Sequence, residues 1–497
     1  MVLMVKEGKN KSKQIGQVFT PDFIVDEILD YCQYRGNNIL KKNIIDNSCG
    51  DGAFLKRIVK RYCEVADEIG LSKKEIKKDL EEYIHGIDND KIAYEDCLKN
   101  LDETALLYGI SDVKWDLYNQ SSLSMMKFHE KMDFVVGNPP YVRVHNLDSM
   151  YEEVKQYRFA NGGMTDLYLA FFELGFKMLN PKGKLCYITP SSWLNSVAAS
   201  NMRLHILKKK NLVSLTDLGH FQPFKKITSY TIISLFSNDK SDSSFEYYKF
   251  NGKTLKRDFV ATLTLEDCYI DSYFYLSDLE HLLELRKIKT SPLKKVVSVK
   301  NGFATLADNV FIGNDVPESN LTIRVLKAST GKWYKCLYPY NEKGKPLPKN
   351  VVFSDPNVAN YLNAHKEELL KGKKEYPGWY EFGRTQALLD VYRNKLAINC
   401  LCRTEKDIKV EEVKKGEGLY SGLYIITDYT IPFDTIKDII VSPDFVEYIS
   451  LLKKYKSGGY YTYNTKDVEQ YINYFVTYKS EISYDKSGVS QQDLTLF

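Results

Sequence analysis

Residues 133–143 read Asp133-Phe-Val-Val-Gly-Asn-Pro-Pro-Tyr-Val-Arg143. Asp133 to Gly137 is a short apolar run with β-branched residues, the composition of a buried parallel strand. The chain then stops abruptly. Pro139 and Pro140 donate no backbone hydrogen bond, and Pro139 drives Asn138 out of the helical region. A stiff loop at the carboxyl end of a strand results, which is where open α/β sheets place their ligands. The loop offers the Asn138 amide, carbonyls that no ladder uses, and the aromatic face of Tyr141.

That set suits a planar amino group. The Asn138 side-chain oxygen and the Pro139 carbonyl can each accept one hydrogen from an amine conjugated to a ring. Two acceptors on one nitrogen draw its lone pair out of the ring and toward an electrophile. Tyr141 can stack on the ring and set its plane. Preorganised acceptors cost little reorganisation as charge develops.

Upstream, Asn43 to Asp46 reads as a strand that runs into Asn47-Ser48-Cys49-Gly50-Asp51-Gly52. Ala53 then opens a helix, with apolar residues at helical spacing from Phe54 to Cys63. Gly50 and Gly52 permit a tight turn and a close approach of backbone to ligand. The three-glycine dinucleotide fingerprint is absent. Asp46 would repel a pyrophosphate and attract an ammonium, which favours a cofactor with an amino-acid moiety over NAD. A second strand, Tyr83 to Ile87, ends in Asp88, whose carboxylate can accept ribose hydroxyls. A third run, Val113 to Trp115, ends in Asp116, which can accept from an adenine amino group while Leu117 covers the ring. Downstream, strands at 184–189, 212–218 and 228–236 alternate with helices at 166–179 and 202–209. This alternation predicts a parallel sheet with helices on both faces.

This order of motifs resembles the γ-class adenine-N6 DNA methyltransferases of type II restriction–modification systems, the TaqI/HincII-like enzymes. Asn138-Pro-Pro-Tyr141 is similar to their catalytic motif, and 46–52 to their cofactor loop, with Asn47-Ser48 where Pro-Ala is frequent. Gly16-Gln-Val-Phe-Thr20-Pro21 resembles the segment that closes over the cofactor's methionine. The resemblance implies a seven-stranded α/β methyltransferase domain, its last strand antiparallel, followed by a mixed α+β target-recognition domain. It implies S-adenosyl-L-methionine held by Thr20, Asp46, Gly50, Asp88, Asp116 and Leu117. It implies catalysis by Asn138, Pro139 and Tyr141 with a second aromatic, Phe224 or alternatively Phe221, across a flipped adenine. Double-stranded DNA would be the substrate and a separate cognate restriction endonuclease the functional partner. RNA and protein-glutamine methyltransferases share the loop. A cytosine-N4 enzyme and a non-catalytic modification subunit are further alternatives.

The 497 residues are 43% hydrophobic, with a net charge of +4, so composition alone does not announce a nucleic-acid binder. Any basic face must be local, as at Lys208–Lys210, Lys225-Lys226 or Lys371–Lys374. No apolar stretch is long enough for a bilayer, and the lysine-rich start lacks the apolar core of a signal peptide. A cytoplasmic bacterial monomer is expected, with nine reduced cysteines and no metal spacing. The expected organisation is an arm at 1–13, a catalytic domain at 14–240, a connector at 241–290 and the recognition domain at 291–497. In that last part, 299–305, 308–312, 382–386, 421–424 and 456–462 resemble TaqI-like recognition regions. Arg384, Arg393 and Arg403 could contact phosphates or bases, or form structural salt bridges.

Overall fold

The computed structural model describes residues 20–143, 151–162, 165–224, 229–372, 374–427 and 431–479. The chain divides into two compact units, Met1–Glu284 and Leu285–Phe497.

The first unit is built on one sheet with strand order β3-β2-β1-β4-β5-β7-β6-β8-β9. β1 (Ile44–Asp46) and β2 (Ile84–Asp88) are buried at every position, as strands covered by helices on both faces must be. β3 (Asp116–Asn119) forms one edge and is more exposed. β4 (Met132–Gly137) lies on the other side of β1, with Asp46 paired to Val136. β5 (Leu179–Pro190) is parallel to β4. β7 (Thr231–Ser237) runs antiparallel to both β5 and β6 (Leu212–Asp217), as the resemblance implied.

The expected seven strands become nine, because the stretch expected as a connector supplies two more. β8 (Ser244–Asn251) pairs parallel with β6, and β9 (Lys256–Thr264) pairs antiparallel with β8. The physical reason lies in the alternation of 244–251, where Phe245, Tyr247 and Phe250 are buried and the charged residues between them face out. The first unit accordingly runs on to Glu284, and its boundary falls within helix Leu279–Thr290.

Helix α1 (Asp22–Tyr31) follows Pro21, a residue suited to a helix start because its ring presets φ. Helix α2 (Ala53–Glu68) carries Arg57 and Arg61, which bind the acidic side of α1. Arg57 Nε donates to Asp26 Oδ1 at 3.0 Å, and Arg61 Nη1 to Asp30 Oδ1 at 2.7 Å. These pairs clamp α1 onto α2 and so place Thr20, one residue before Pro21. Helix α3 (Lys73–Tyr83) begins with a capping box of Ser72 and Glu75. Helix α4 (Lys91–Leu106) is capped by Asp90.

The second unit is mixed α+β, with two four-stranded sheets, one three-stranded sheet and short helices among its described residues. Its core gathers segments distant in sequence. Phe382 packs edge-on against Phe303, Phe311 and Tyr340. Phe303 N donates to Leu419 O and Gly302 N to Gly422 O. The stretches at 299–305, 308–312, 382–386 and 421–424 are thus one packed cluster. No helix among the described residues is long and apolar enough to cross a membrane. All nine cysteines are free.

Candidate active site

The strand order reverses at β1, which has β2 on one side and β4 on the other. That is the topological switch point of an open sheet, whose carboxyl edge is where such sheets take their ligands. Asp46 ends β1 and is 1% exposed. Its Oδ1 accepts from Ser48 N at 3.0 Å. Burial pushes its carboxyl up to about 8, against that hydrogen bond, and the nearby Asp88 and Asp51 push it further. A cation placed here would restore the ionised form. A Cβ on Gly137 would lie 2.7 Å from Asp46 Oδ1, so only glycine lets β4 pass this close. Ser48 Oγ is buried without a hydrogen-bond partner among the described residues.

The loop after β1 is held by β2. Cys49 N donates to Ile87 O at 3.0 Å and Gly50 N to Asp88 Oδ2 at 2.8 Å. Asp90 N donates to the other oxygen, Asp88 Oδ1, at 2.8 Å. Burial still raises the Asp88 carboxyl above its usual value. The space where a Cβ of Gly50 would point is open for 4 Å. Gly52 sits at φ +87°, and a Cβ there would meet Cys97 Sγ at 2.8 Å, so glycine lets α2 start against α4. Asn47 is fully buried, accepts from Tyr187 OH at 2.8 Å through Oδ1, and takes Ser122 Oγ on its carbonyl at 2.6 Å. Asn47, part of the departure from Pro-Ala, is therefore a brace between this loop and β5.

Asn138 follows β4 directly. Its Nδ2 donates to Thr20 Oγ1 at 3.0 Å, and Thr20 is 7% exposed. This bond assigns the nitrogen end of the amide and leaves Oδ1 as its acceptor. The chain before Thr20, including Gly16 to Phe19 of the closing segment, lies outside the described residues.

Tyr141 OH donates to Ile188 O on β5 at 3.3 Å. Its ring stands 6.3 Å from that of Phe224 at 76°. Phe221 points elsewhere, into a cluster with Phe250 at 5.0 Å and Phe23 at 6.2 Å. The two phenylalanines, open alternatives in the sequence, are separated by their surroundings. Lys225 to Thr228 lie outside the described residues.

Two expected cofactor residues are elsewhere. Asp116 begins β3 instead of ending a strand, and pairs with His85 at the start of β2. Its Oδ2 lies 2.7 Å from His85 Nδ1, while Lys127 Nζ and Tyr118 OH donate to Oδ1, each at 2.7 Å. Burial opposes its ionisation, but these hydrogen bonds prevail and hold it below the usual carboxylate range. Leu117 is 7% exposed and packs in the core with Leu55 beside Gly86. The residue that does end β3 is Asn119, whose Nδ2 donates to Asp88 O at 3.0 Å. The polar turn Asn119-Gln120-Ser121 was the available signal for that strand end.

In the second unit, Arg393 pairs with Asp390 at 3.7 Å, and Arg403 pairs with Asp407 at 3.5 Å while covering Tyr460. Arg384 is exposed and makes no ion pair among the described residues.

Residues 53–224 match the Eco57I restriction-modification methylase family. The chain is 24% identical over 484 residues to the type II restriction enzyme and methyltransferase RM.Eco57I of Escherichia coli, covering 75% of this chain and 47% of that protein. It is 30% identical over 244 residues to the type II methyltransferase M.BstVI of Geobacillus stearothermophilus, covering 46% and 43%. It is 24% identical over 459 residues to the type II methyltransferase M.BanIII of Aneurinibacillus aneurinilyticus, covering 77% and 76%. The fold is similar to that of the type IIL restriction-modification enzyme MmeI, solved in complex with DNA, with a TM-score of 0.56 at 13% identity over 82% of this chain and 59% of that one. The chain spans about half the length of the first two of these relatives. These matches relate it to the type II restriction–modification methyltransferases.

Proposed function

We propose that this protein is a site-specific DNA adenine-N6 methyltransferase that uses S-adenosyl-L-methionine and works alongside a separate cognate restriction endonuclease. The observation that carries the reading is the Asn138 amide, held by Thr20 one strand away from the buried acid Asp46. One edge of the sheet thus combines an acceptor for a planar amine with a seat for an ammonium group.

The residues present fit the cofactor. Among the described residues, Asp46 is a buried carboxyl with no ion pair and Ser48 Oγ a buried hydroxyl with no hydrogen-bond partner. Gly50 leaves open space beside its backbone. Asp46 would hold the ammonium, Asp88 the ribose hydroxyls, and Asn119, rather than Asp116, the adenine. Thr20 would lie next to the methionine end. When bound, S-adenosyl-L-methionine supplies an electrophilic methyl group.

The remaining chemistry belongs to the chain. A target base cannot be reached inside a duplex and must rotate out, at a cost of a few kcal/mol. Tyr141 and Phe224 would hold its two faces. Stacking between two rings needs about 7 Å between parallel faces, twice a van der Waals contact of about 3.5 Å. The present edge-on pair at 6.3 Å is closed to a base, so entry requires Phe224 to turn. Asn138 Oδ1 and Pro139 O would accept the two amino hydrogens and direct the nitrogen lone pair at the methyl. Asn138 Oδ1 would keep its hydrogen bond to the surplus proton until that proton leaves to water. Positioning and preorganised dipoles supply the rate.

The test is methyl transfer from labelled S-adenosyl-L-methionine to unmethylated duplex DNA, with RNA and protein in parallel and nucleoside analysis of the product. N6-methyladenine in DNA alone supports the proposal. Label in RNA, in protein or on cytosine overturns the substrate. Cofactor binding without transfer to any polymer points to a non-catalytic modification subunit. Asn138→Ala should abolish transfer and leave cofactor binding within about threefold, because the proposed contacts to the cofactor come from Asp46, Asp88 and Asn119 rather than from this amide. Equal loss of both would remove Asn138 from the chemistry.

A further inference from the structure

A cavity lies at the opposite edge of the same sheet. Its volume is about 360 Å³, within the range of roughly 300–1,000 Å³ of small-molecule sites. It sits where Asn211 enters β6 and Asn238 leaves β7, between helices α5 (Tyr168–Met178) and α6 (Ser200–Lys209). The catalytic loop leaves the carboxyl end of β4, so the two sites occupy different edges.

The lining has three kinds of chemistry. His205 stacks on Phe176 at 5.1 Å and 26°, and Phe159 meets His205 edge-on at 5.1 Å. Burial, with Lys209 adding, pushes the His205 imidazole down to about 4, so this aromatic shelf is uncharged at neutral pH. The mouth carries Arg158, Lys177 and Lys209 against one acid, Glu173. Glu173 is committed to Lys177 at 2.9 Å and to Phe159 N at 2.9 Å. Arg158 and Lys209 make no ion pair among the described residues, leaving two uncompensated cations. Finally, Asn211 is 4% exposed, and its Oδ1 is buried without a hydrogen-bond partner among the described residues. A buried acceptor left unmet is destabilising. Water could meet that acceptor, but water accounts for neither the aromatic shelf nor the two spare cations.

We propose that this cavity binds a mononucleotide, with the phosphate on Arg158 and Lys209, the base against the His205 ring that Phe176 backs, and a base amino group donating to Asn211 Oδ1. Each part of the ligand answers one part of the lining. Phosphate suits a guanidinium–ammonium pair, and a base suits an aromatic face beside a hydrogen-bond acceptor.

Isothermal titration of the full chain with adenosine 5′-monophosphate and cytidine 5′-monophosphate tests this. S-adenosylhomocysteine is kept at saturation so that the cofactor site cannot answer. The expected result is one-to-one binding of a nucleotide. Arg158→Glu with Lys209→Glu, both exposed side chains, should weaken it at least about tenfold, which is about 1.4 kcal/mol, with S-adenosylhomocysteine affinity unchanged. Asn211→Leu should weaken the nucleotide but not inorganic phosphate. If that variant fails to fold, the charge-reversed pair carries the test. No binding up to about 5 mM nucleotide, weaker than the millimolar end of specific recognition, overturns the proposal. So does binding that ignores the charge reversal, or inorganic phosphate binding as tightly as the nucleotide.

Discussion

Asp46→Asn keeps the shape of the side chain and removes its titration. In the folded chain burial raises this carboxyl from 3.8 to about 8, so the fold prefers it protonated. Its contribution to stability is therefore full below about pH 4 and is lost as pH rises through about 8. At about 1.36 kcal/mol per pKa unit, the loss reaches about 4 kcal/mol by pH 7, as a ceiling. Asp46→Asn escapes that loss. It should melt near the parent's temperature at about pH 4.5 and several degrees above it at about pH 8, since about 1 kcal/mol moves the midpoint by about 2–4 °C in units near this size. Adding S-adenosylhomocysteine at about 100 times its Kd should stabilise the parent by about 2.7 kcal/mol and the variant by much less, because the carboxylate is the proposed partner of the ligand's ammonium. Thermal denaturation across this pH range, with and without the ligand, reads both effects. A melting difference that does not change between about pH 5 and pH 8 refutes the buried neutral acid. Equal gains from the ligand refute its role as the ammonium seat.

Thr20→Val removes the oxygen that holds Asn138 Nδ2 at 3.0 Å. One hydrogen bond of about 1 kcal/mol predicts a fall in kcat of about fivefold to tenfold, with Thr20→Ser near the parent, and steady-state methyl transfer measures it. Phe224→Ala should weaken capture of the flipped base, read as a smaller fluorescence rise from 2-aminopurine at the target. Phe221→Ala should leave that signal in place and lower stability by about 3–5 kcal/mol at most, through its contacts with Phe23 and Phe250. Gly52→Ala puts a methyl 2.8 Å from Cys97 Sγ at φ +87°. It should destabilise the first unit by about 1–3 kcal/mol, seen as a lower urea midpoint.

Much of this architecture was legible in the chain itself, for a local reason. The run Asp133–Gly137 has the composition of a buried strand, and the prolines after it permit only a stiff turn. Asp46 and Asp88 each end a short, wholly buried strand, so their place on the sheet edge follows from where the run stops. The antiparallel seventh strand came from resemblance rather than from spacing, because periodicity carries no strand direction. Residues 244–251 did carry the alternation of a sheet strand, broken once at the Tyr247–Tyr248 bulge, and reading 241–290 as a connector passed over it.

What tertiary structure alone decided turns on pairing between distant segments. Asp116 looks like a strand end, but His85, Lys127 and Tyr118 hold it at the start of β3 and shift the edge position to Asn119. Three residues of offset move a side chain some 10 Å along a strand, from one edge of the sheet toward the other. Phe221 and Phe224 are equivalent as letters, and the neighbours Phe23, Phe250 and Tyr141 tell them apart. The hydrogen bond from Asn138 to Thr20 joins residues 118 positions apart. No local pattern encodes it, because it exists only once Arg57 and Arg61 have clamped α1 beside the loop.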